Sequence, residues 1–221
     1  MVLEIRGVPL DGGGFVTTYL DVTEQRRTQA LVAHMAYHDA LTNLPNRALL
    51  LDRLQHVLAR VHRGEVAALL YLDLDGFKPV NDEFGHATGD TVLKAVSDRL
   101  RDVVRETDTV ARLGGDEFVV LQVGIKNLMD SALLARRVLA SLAAPYSIAD
   151  RTLVIGANIG IAMAPDDGQD SDQLLRNADA ALYQCKASGR GKFSFFQSGS
   201  AVFAPPRSTS EPNCLQIRRT A

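Results

Sequence analysis

A nearly continuous apolar run, VAALLYLDLD at residues 66–75, constrains the fold more than any other part of this sequence. A strand with one solvated face alternates apolar and polar side chains, whereas a strand buried on both faces carries an almost unbroken apolar run. The run ends in two acids, Asp73 and Asp75. The sequence therefore predicts a strand that is buried on both faces and has carboxylates at its C-terminal end.

Two further β-rich runs, TVARL at 109–113 and EFVVLQV at 117–123, are separated by little more than Gly114 and Gly115. Paired glycines accept the positive φ angles of tight turns, so this pattern predicts a β-hairpin. Helices are predicted at 46–63, 89–105, 131–143 and 171–188, and a further strand at 152–164. The predicted fold class is therefore α/β (α+β), with helices packed on a single sheet that is partly antiparallel because of the hairpin.

Helical periodicity also predicts core positions. The apolar face of the first helix consists of Leu50, Leu54, Val57, Leu58 and Val61, and that of the second consists of Val92, Leu93, Val96 and Leu100. Ser171 or Asp172 is expected to cap the last helix, because short polar side chains accept hydrogen bonds from the free amides of a first turn.

Composition narrows the classes of protein that the sequence can encode. An apolar fraction of 46% and a charged fraction of 23% are typical of a soluble globular chain. The net charge of −2 gives no basic field for nucleic acid, and no apolar run reaches the roughly 18 residues of a membrane span. Cys185 and Cys214 are too few for a disulfide framework. We therefore expect a cytoplasmic protein with no nucleic-acid partner and no membrane segment.

Patterning along the chain predicts several parts. Residues 1–22 contain one clear strand, GFVTTYLDV, which is not stable alone and belongs to a domain whose body is missing or pairs elsewhere. Residues 23–37 are polar and helical. The main folded unit is expected at 38–197, and the Ser-, Pro- and Arg-rich residues 198–221 are expected to be disordered.

Four carboxylates fall at the ends of predicted strands, Asp73 and Asp75 after the buried run and Asp116 and Glu117 at the hairpin tip. They would repel one another unless a hard cation held them, and Mg²⁺ combines few carboxylates with substrate phosphates. The turn pattern alone equally fits solvated turn and capping acids. An EF-hand is excluded because Phe77 stands where a third ligand is required, and the sequence contains no Walker A loop.

Four motifs occur in order, namely DALTNLPNR at 39–47, DLDGFKPVNDEFGHATGD at 73–90, RLGGDEF at 112–118 and YQCKASGR at 183–190. With them, residues 38–196 resemble the GGDEF family of bacterial diguanylate cyclases. The resemblance implies a fold like the palm of nucleotidyl cyclases and polymerases, a central mostly antiparallel sheet flanked by helices. It also implies an enzyme that joins two GTP molecules into cyclic di-GMP and releases two pyrophosphates. Each GTP is held by one of two facing domains, so catalysis requires a homodimer.

The resemblance assigns the acids to catalysis. Asp73, the carbonyl of Leu74 and Asp116 would hold a divalent cation, Mg²⁺ or Mn²⁺, which neutralises phosphate charge and lowers the pKa of the attacking 3′-hydroxyl. Glu117 matches the position on which family activity depends, and it would act as a ligand, a base or an orienting group.

Substrate binding is assigned in the same way. Asn81 and Asp90 match the guanine-contacting pair, although without the motif they would be read as a helix cap and a helix-start acid. The triphosphate would lie against Gly76, Phe77, Lys78, Gly114, Gly115, Lys186 and Arg190. Gly191 departs from the family, which commonly has Asn there, and we expect this change to loosen the local turn.

A second site is implied by RETD at 105–108, an RxxD pattern that ends five residues before the signature. It marks the inhibitory product site of the family, formed by Arg105 and Asp108, to which Arg137 on the following helix would add a second arginine. A solvated arginine on a helix face is the alternative for Arg137. Cyclic di-GMP is therefore expected to inhibit the protein.

The N-terminal stretch GGFVTTYLDVTEQRR at 13–27 resembles the last strand of a PAS sensory domain and the turn that joins it to a GGDEF domain. Residues 1–22 would then be the C-terminal end of a PAS-like domain, and 23–37 a helical stalk that pairs two chains. Leu31 and Met35 form only a thin apolar seam for such pairing. A catalytically silent GTP- or cyclic di-GMP-binding regulatory module, or a plain dimerisation domain, is the alternative to an active cyclase.

Overall fold

The computed structural model describes residues 1–9, 12, 14–148 and 151–197. The tail predicted at 198–221 lies outside the described residues. The chain divides into two compact units, residues 1–38 and the residues from Asp39 onward. None of the helices within the described ranges is long and apolar enough to cross a membrane.

The first unit is a β-hairpin followed by a helix. Strand β1 (Leu3–Pro9) pairs antiparallel with β2 (Phe15–Asp21), and helix α1 spans Thr23–Tyr37. The sequence predicted one strand here, but the structure has two. The first strand was missed because Gly7 interrupts its apolar alternation. On α1, Leu31 and Met35 are each 59% exposed.

The second unit is built around one sheet. Its elements in chain order are α2 (Arg47–Val61), β3 (Ala67–Asp75), α3 (Phe77–Phe84), α4 (His86–Val103), β4 (Thr109–Gly114), β5 (Glu117–Val123), α5 (Leu128–Ala143), β6 (Tyr146–Ile148), β7 (Arg151–Leu153), β8 (Gly156–Ala164), α6 (Ser171–Ala187) and β9 (Phe193–Phe195). The central sheet has the order β4–β5–β3–β8–β9, and every neighbouring pair is antiparallel except β8 and β9. The predicted fold class, a mostly antiparallel sheet flanked by helices, is confirmed.

Strand β3 lies at the centre of the sheet and is covered on both faces, as its apolar run predicted. Leu70 and Leu72 pack into a core with α4 and α5, whereas Leu69 and Tyr71 pack into a second core with α2 and α6. The predicted apolar faces of α2 and α4 are buried in these cores, apart from the half-buried Val57. The odd-numbered residues of β3 therefore face α6. Asp73 and Asp75 are odd-numbered, so both acids at the end of the strand lie on this face.

Helix α6 lies directly on β8. A Cβ atom on Gly160 would overlap the backbone of α6 at Ala178 and Leu182, so only glycine permits this close approach. The same helix carries Lys186 in its last turn, so the packing at Gly160 fixes the height of that side chain above the sheet.

One local prediction was wrong, and one alternative reading does not apply. Asp170, not Ser171 or Asp172, caps α6, because its carboxylate accepts a 2.7 Å hydrogen bond from the amide of Gln173, three residues ahead. Asn81 lies inside α3 and caps no helix. With eight residues, α3 is too short for its periodicity to be seen in the sequence.

Candidate active site

The signature acids meet at one end of the sheet. Asp73 on β3 lies opposite Glu117 on β5, and the amide of Leu74 donates a 3.3 Å hydrogen bond to the carbonyl of Asp116 at the hairpin tip. Gly114 and Gly115 have φ angles of +149° and +51°, which side chains rarely adopt, so the glycines make this turn possible. The turn thus carries its two acids to the end of the central strand.

The acids form a negative cluster that needs countercharge. Burial, and next the negative charge of Asp73, raise the pKa of the Asp116 carboxyl above its usual value. Lys186 offsets part of this negative charge through a 2.7 Å ion pair between its Nζ and Oδ1 of Asp73. The hydroxyl of Tyr71, also on β3, donates a 3.3 Å hydrogen bond to Oε2 of Glu117 on the neighbouring strand β5.

The donor set fits a small hard cation that completes its coordination with phosphate oxygens. Within the described ranges there is no arrangement of three or more His, Cys, Asp or Glu side chains that would hold a metal by themselves. Mg²⁺ does not require one, because it is usually bound by one or two carboxylates, waters and substrate phosphates. Asp73 and Asp116 provide such a pair, and their mutual repulsion is what a cation would remove.

Arg112 organises the hairpin tip, a role that the sequence analysis missed. Its Nε and Nη2 donate to the carbonyl of Gly115 at 3.1 and 2.8 Å, and its Nη1 donates to Oδ1 of Asp39 at 2.9 Å. The Arg112 side chain is only 10% exposed. The position of Arg112 in the RLGGDEF motif was a signal that this residue matters. Its contact with Asp39 could not be predicted, because the two residues lie 73 positions apart in sequence.

The predicted guanine pair lies on two neighbouring helices. Asn81 on α3 faces Gly89 on α4 so closely that a Cβ atom there would overlap its side-chain oxygen. Asp90 follows Gly89 and is exposed. The structure therefore brings the two predicted base-reading residues close together across the α3–α4 contact.

The predicted phosphate-binding groups come from two other places. Gly76, Phe77 and Lys78 lie at the start of α3, whose first-turn amides receive no side-chain cap. Lys186 lies in the last turn of α6, and Arg190 lies just after that helix. Helix N-termini and cations are both suited to anions.

Asp75 connects the end of β3 to the chain that follows α6. Burial raises the pKa of the Asp75 carboxyl, and the nearby positive charge of Arg190 opposes that rise. Gly191 has a φ angle of +71°, a left-handed conformation that suits glycine and that Asn also tolerates. The glycine fits the conformation of this turn at the position where the family commonly has Asn.

The three residues of the predicted inhibitory site line one small concavity, together with side chains of β5 and α5. Arg137 donates a 2.8 Å hydrogen bond to the carbonyl of Val103. Asp108 is buried and accepts hydrogen bonds from the amides of Arg105 at 3.1 Å and Val123 at 3.2 Å. The aspartate thus shapes the turn that presents the Arg105 side chain.

Comparison with known proteins identifies the class to which this fold and these motifs belong. Residues 36–192 match the model of the diguanylate cyclase GGDEF domain, and residues 1–30 match the model of a PAS fold. The chain belongs to the GGDEF family, as the motifs predicted.

Two individual relatives are similar to this chain over most of its length. The bifunctional diguanylate cyclase/cyclic di-GMP phosphodiesterase MucR of Pseudomonas aeruginosa is 45% identical over 82% of this chain but over only 26% of its own length. The diguanylate cyclase TpbB of the same organism is 45% identical over 73% of this chain and 38% of its own length. The chain thus spans well under half of these relatives.

Solved structures agree with the fold. The GGDEF domain of TpbB matches 72% of this chain and 94% of that domain, with a TM-score of 0.71 and 41% identity. The coiled coil and GGDEF domain of DgcB from Caulobacter crescentus, solved in complex with c-di-GMP, matches 79% of this chain and 93% of its own, with a TM-score of 0.71 and 28% identity.

Proposed function

We propose that this chain is a diguanylate cyclase that condenses two GTP molecules into cyclic di-GMP and two pyrophosphates. The observation that carries the proposal is the convergence of Asp73, Asp116 and Glu117 where β3 ends and the β4–β5 hairpin turns. Carboxylates gathered at the end of a central strand suit a site at which a divalent cation offsets the negative charge of the acids and of a triphosphate.

The reaction is an in-line displacement. The 3′-hydroxyl of one GTP attacks the α-phosphate of the other, and pyrophosphate leaves on the opposite side. A bound Mg²⁺ or Mn²⁺ would supply charge neutralisation and a lower pKa for the attacking hydroxyl. Asp73, the Leu74 carbonyl and Asp116 would hold that cation, while Glu117, supported by the Tyr71 hydroxyl, would bind, deprotonate or orient the reacting group.

Recognition of GTP is divided between two regions. Asn81 and Asp90 would accept and donate hydrogen bonds at the edge of guanine, and a carboxylate there suits the N1–H and 2-amino group that adenine lacks. Lys78, Lys186 and Arg190 would surround the triphosphate. When the substrate binds, Lys186 can exchange Asp73 for a phosphate oxygen, because its ion pair is partly exposed, with 40% of the lysine side chain accessible.

Two chains must cooperate, because one set of these residues binds one GTP and the product contains two. Activity per mole of protein should therefore rise steeply with protein concentration. Product should in turn inhibit the enzyme through the concavity at Arg105, Asp108 and Arg137, where two guanidinium groups can bind phosphate or guanine.

The test is an incubation with GTP and Mg²⁺ at several protein concentrations, in which cyclic di-GMP and pyrophosphate are both measured. We expect both products, with a specific activity that increases with concentration. The control is Glu117→Gln, which keeps the shape of the side chain and should lower the rate more than about 100-fold while GTP still binds. Wild-type rates in this variant would refute the catalytic assignment of Glu117.

A second candidate is a catalytically silent module that binds GTP or cyclic di-GMP. In this candidate the ion pair between Lys186 and Asp73 would persist when GTP is bound, and Asp73 would then hold no cation. GTP binding without any product at high protein concentration would support the silent module. A chain that binds neither nucleotide would leave only a scaffold role.

A further inference from the structure

A buried side-chain amide connects three segments of the chain close to Arg190, one of the predicted phosphate-binding residues. Asn158 on β8 is fully buried, and its Nδ2 donates to both carboxylate oxygens of Asp75, at 2.8 Å each. Its Oδ1 accepts from the amide of Lys192 at 3.3 Å and lies 3.8 Å from Sγ of Cys185. Every polar atom of this side chain is therefore engaged, and its partners come from β3, α6 and the chain after α6.

Asp75 is the second member of this arrangement. Besides Asn158, its carboxylate accepts a 3.4 Å hydrogen bond from the amide of Gly191. The backbone of the same segment is also tied to β8, because the amide of Ile159 donates to the carbonyl of Lys192 at 3.0 Å. The segment 188–192, which we call the α6–β9 turn, is thus held against the end of β3 by side chains and backbone together.

The α6–β9 turn carries Arg190, whose charge acts on Asp75 from the exposed side. An exposed arginine on a glycine-flanked turn loses conformational freedom when it binds phosphate, and a turn that is already fixed reduces that loss. Gly189 and Gly191 flank this arginine, so its backbone has little stiffness of its own. Bonds from the two side chains behind it therefore add to the backbone bonds that fix the turn.

We infer that Asp75 and Asn158 form a positioning pair that holds the α6–β9 turn and thereby aims Arg190 at the triphosphate. The inference rests on the proposed function for its substrate, although the tether itself does not. Neither residue needs to touch GTP. Their contribution should appear in triphosphate affinity and should depend on the presence of Arg190.

The experiment compares Asn158→Ala and the isosteric Asp75→Asn with wild type. Asn158→Ala removes the hydrogen bonds of the Asn158 side chain to Asp75 and Lys192. Asp75→Asn replaces the accepting carboxylate while it keeps the volume of the side chain, so it tests the pair even if the first variant does not fold. We expect about tenfold weaker binding of a non-hydrolysable GTP analogue in each, with guanosine binding unchanged, because a misaimed arginine forfeits a charge-assisted bond to phosphate. KM for GTP should rise more than kcat falls.

A double-mutant cycle separates positioning from general damage. In an Arg190→Ala background, Asn158→Ala should weaken analogue binding less than about twofold further, because its effect passes through the missing arginine. Fold-changes that simply multiply would overturn the inference, as would unchanged triphosphate affinity in both single variants. The matched control is Ser131→Ala, which removes another fully buried side-chain hydrogen bond, 2.8 Å long, to Gln122 and should leave analogue binding unchanged.

Amide hydrogen exchange tests the tether without any nucleotide. The amides of Gly191 and Lys192 should exchange faster in Asn158→Ala than in wild type or in Ser131→Ala. Equal exchange rates would overturn the inference whatever the activity. A wild-type protein that binds no GTP would instead overturn the proposed function, and the exchange rates would then decide the tether by themselves.

Discussion

Replacement of Arg112 is the sharpest test of how the hairpin tip is held. The Arg112 guanidinium makes two hydrogen bonds to the carbonyl of Gly115 and one ion-paired bond to Asp39, and the side chains of the ion pair are 10% and 21% exposed. Removing one partner of a buried pair costs about 3–5 kcal/mol, because the other charge is left uncompensated. Partial exposure of Asp39 lowers our expectation for Arg112→Ala to about 2–4 kcal/mol.

The expected change in melting temperature follows from this energy. One kcal/mol corresponds to roughly 2–4 °C for a domain of this size, so thermal unfolding of Arg112→Ala should occur about 4–16 °C below that of wild type. Activity should fall by at least about tenfold, because a small displacement of the tip moves Asp116 and Glu117 together. Arg112→Lys keeps a charge for Asp39 but lacks the planar fork, so it should recover part of the stability and little of the activity.

The effect should also depend on pH. Burial of Asp39 would by itself raise the pKa of its carboxyl, but hydrogen bonds from Thr42 and Arg112 outweigh burial and hold the pKa below its usual value. A lowered pKa stabilises the fold at pH values above the unfolded pKa of about 3.9, and this stabilisation disappears as the pH falls through the folded value. The stability difference between wild type and Arg112→Ala should therefore be full at pH 7 and shrink below about pH 4.

Arg53→Ala is the matched control, because this exposed arginine also donates to β4, at Thr109 Oγ1, but far from the tip. It should change stability by less than about 1 kcal/mol. Two results would refute this role of the ion pair. One is a melting temperature of Arg112→Ala within about 2 °C of wild type. The other is a stability loss in the Arg112→Ala, Asp39→Asn double variant that equals the sum of the two single losses.

The remaining predictions concern single side chains. Asp116→Asn should abolish cyclic di-GMP synthesis yet raise the melting temperature by a few degrees at pH 7, a gain that fades toward pH 4, because a raised carboxyl pKa penalises the fold only while the group is ionised. Gly160→Ala should lower the free energy of unfolding by about 1–3 kcal/mol or more, measured by urea unfolding, because α6 must move off the sheet. Gly191→Asn should change the free energy of unfolding by less than about 1 kcal/mol, whereas Gly191→Val should lower it further, since Asn tolerates a φ of +71° and the β-branched Val does not. Arg105→Ala should lose inhibition by cyclic di-GMP, measured as initial rates with added product, and equal sensitivity would disprove the second site.

The sheet and its long helices were predictable because their signals are local and repeat over many residues. The unbroken run of β3 and the glycine pair of the β4–β5 hairpin each correspond to one physical requirement, burial on two faces and a turn with positive φ angles. Short elements gave no such signal. Strands β6, β7 and β9 have three residues each, fewer than any alternation can reveal. Strands β6 and β7 pair with each other, and β9 pairs with the longer β8.

The sequence predicted where the acids of the candidate site lie in the fold, but not which side chains contact one another. The motifs identified Asp73, Asp116 and Glu117 one at a time, and strand ends together with the hairpin explained why they meet. The contacts that hold the site join distant parts of the chain, since Asp39 lies 73 residues from Arg112 and Asp75 lies 83 residues from Asn158. Sequence reasoning has no local rule for such pairs.

The electrostatics of the hairpin tip agree with the proposed cation site. A protein that used this turn only as a connection would be more stable with a neutral residue at 116, because burial and the charge of Asp73 both act against ionisation there. Lys186 offsets one carboxylate and leaves the cluster short of positive charge. In the proposed mechanism a divalent cation would supply that charge, so the cost of ionising Asp116 in this turn and the proposed catalysis would have the same physical origin.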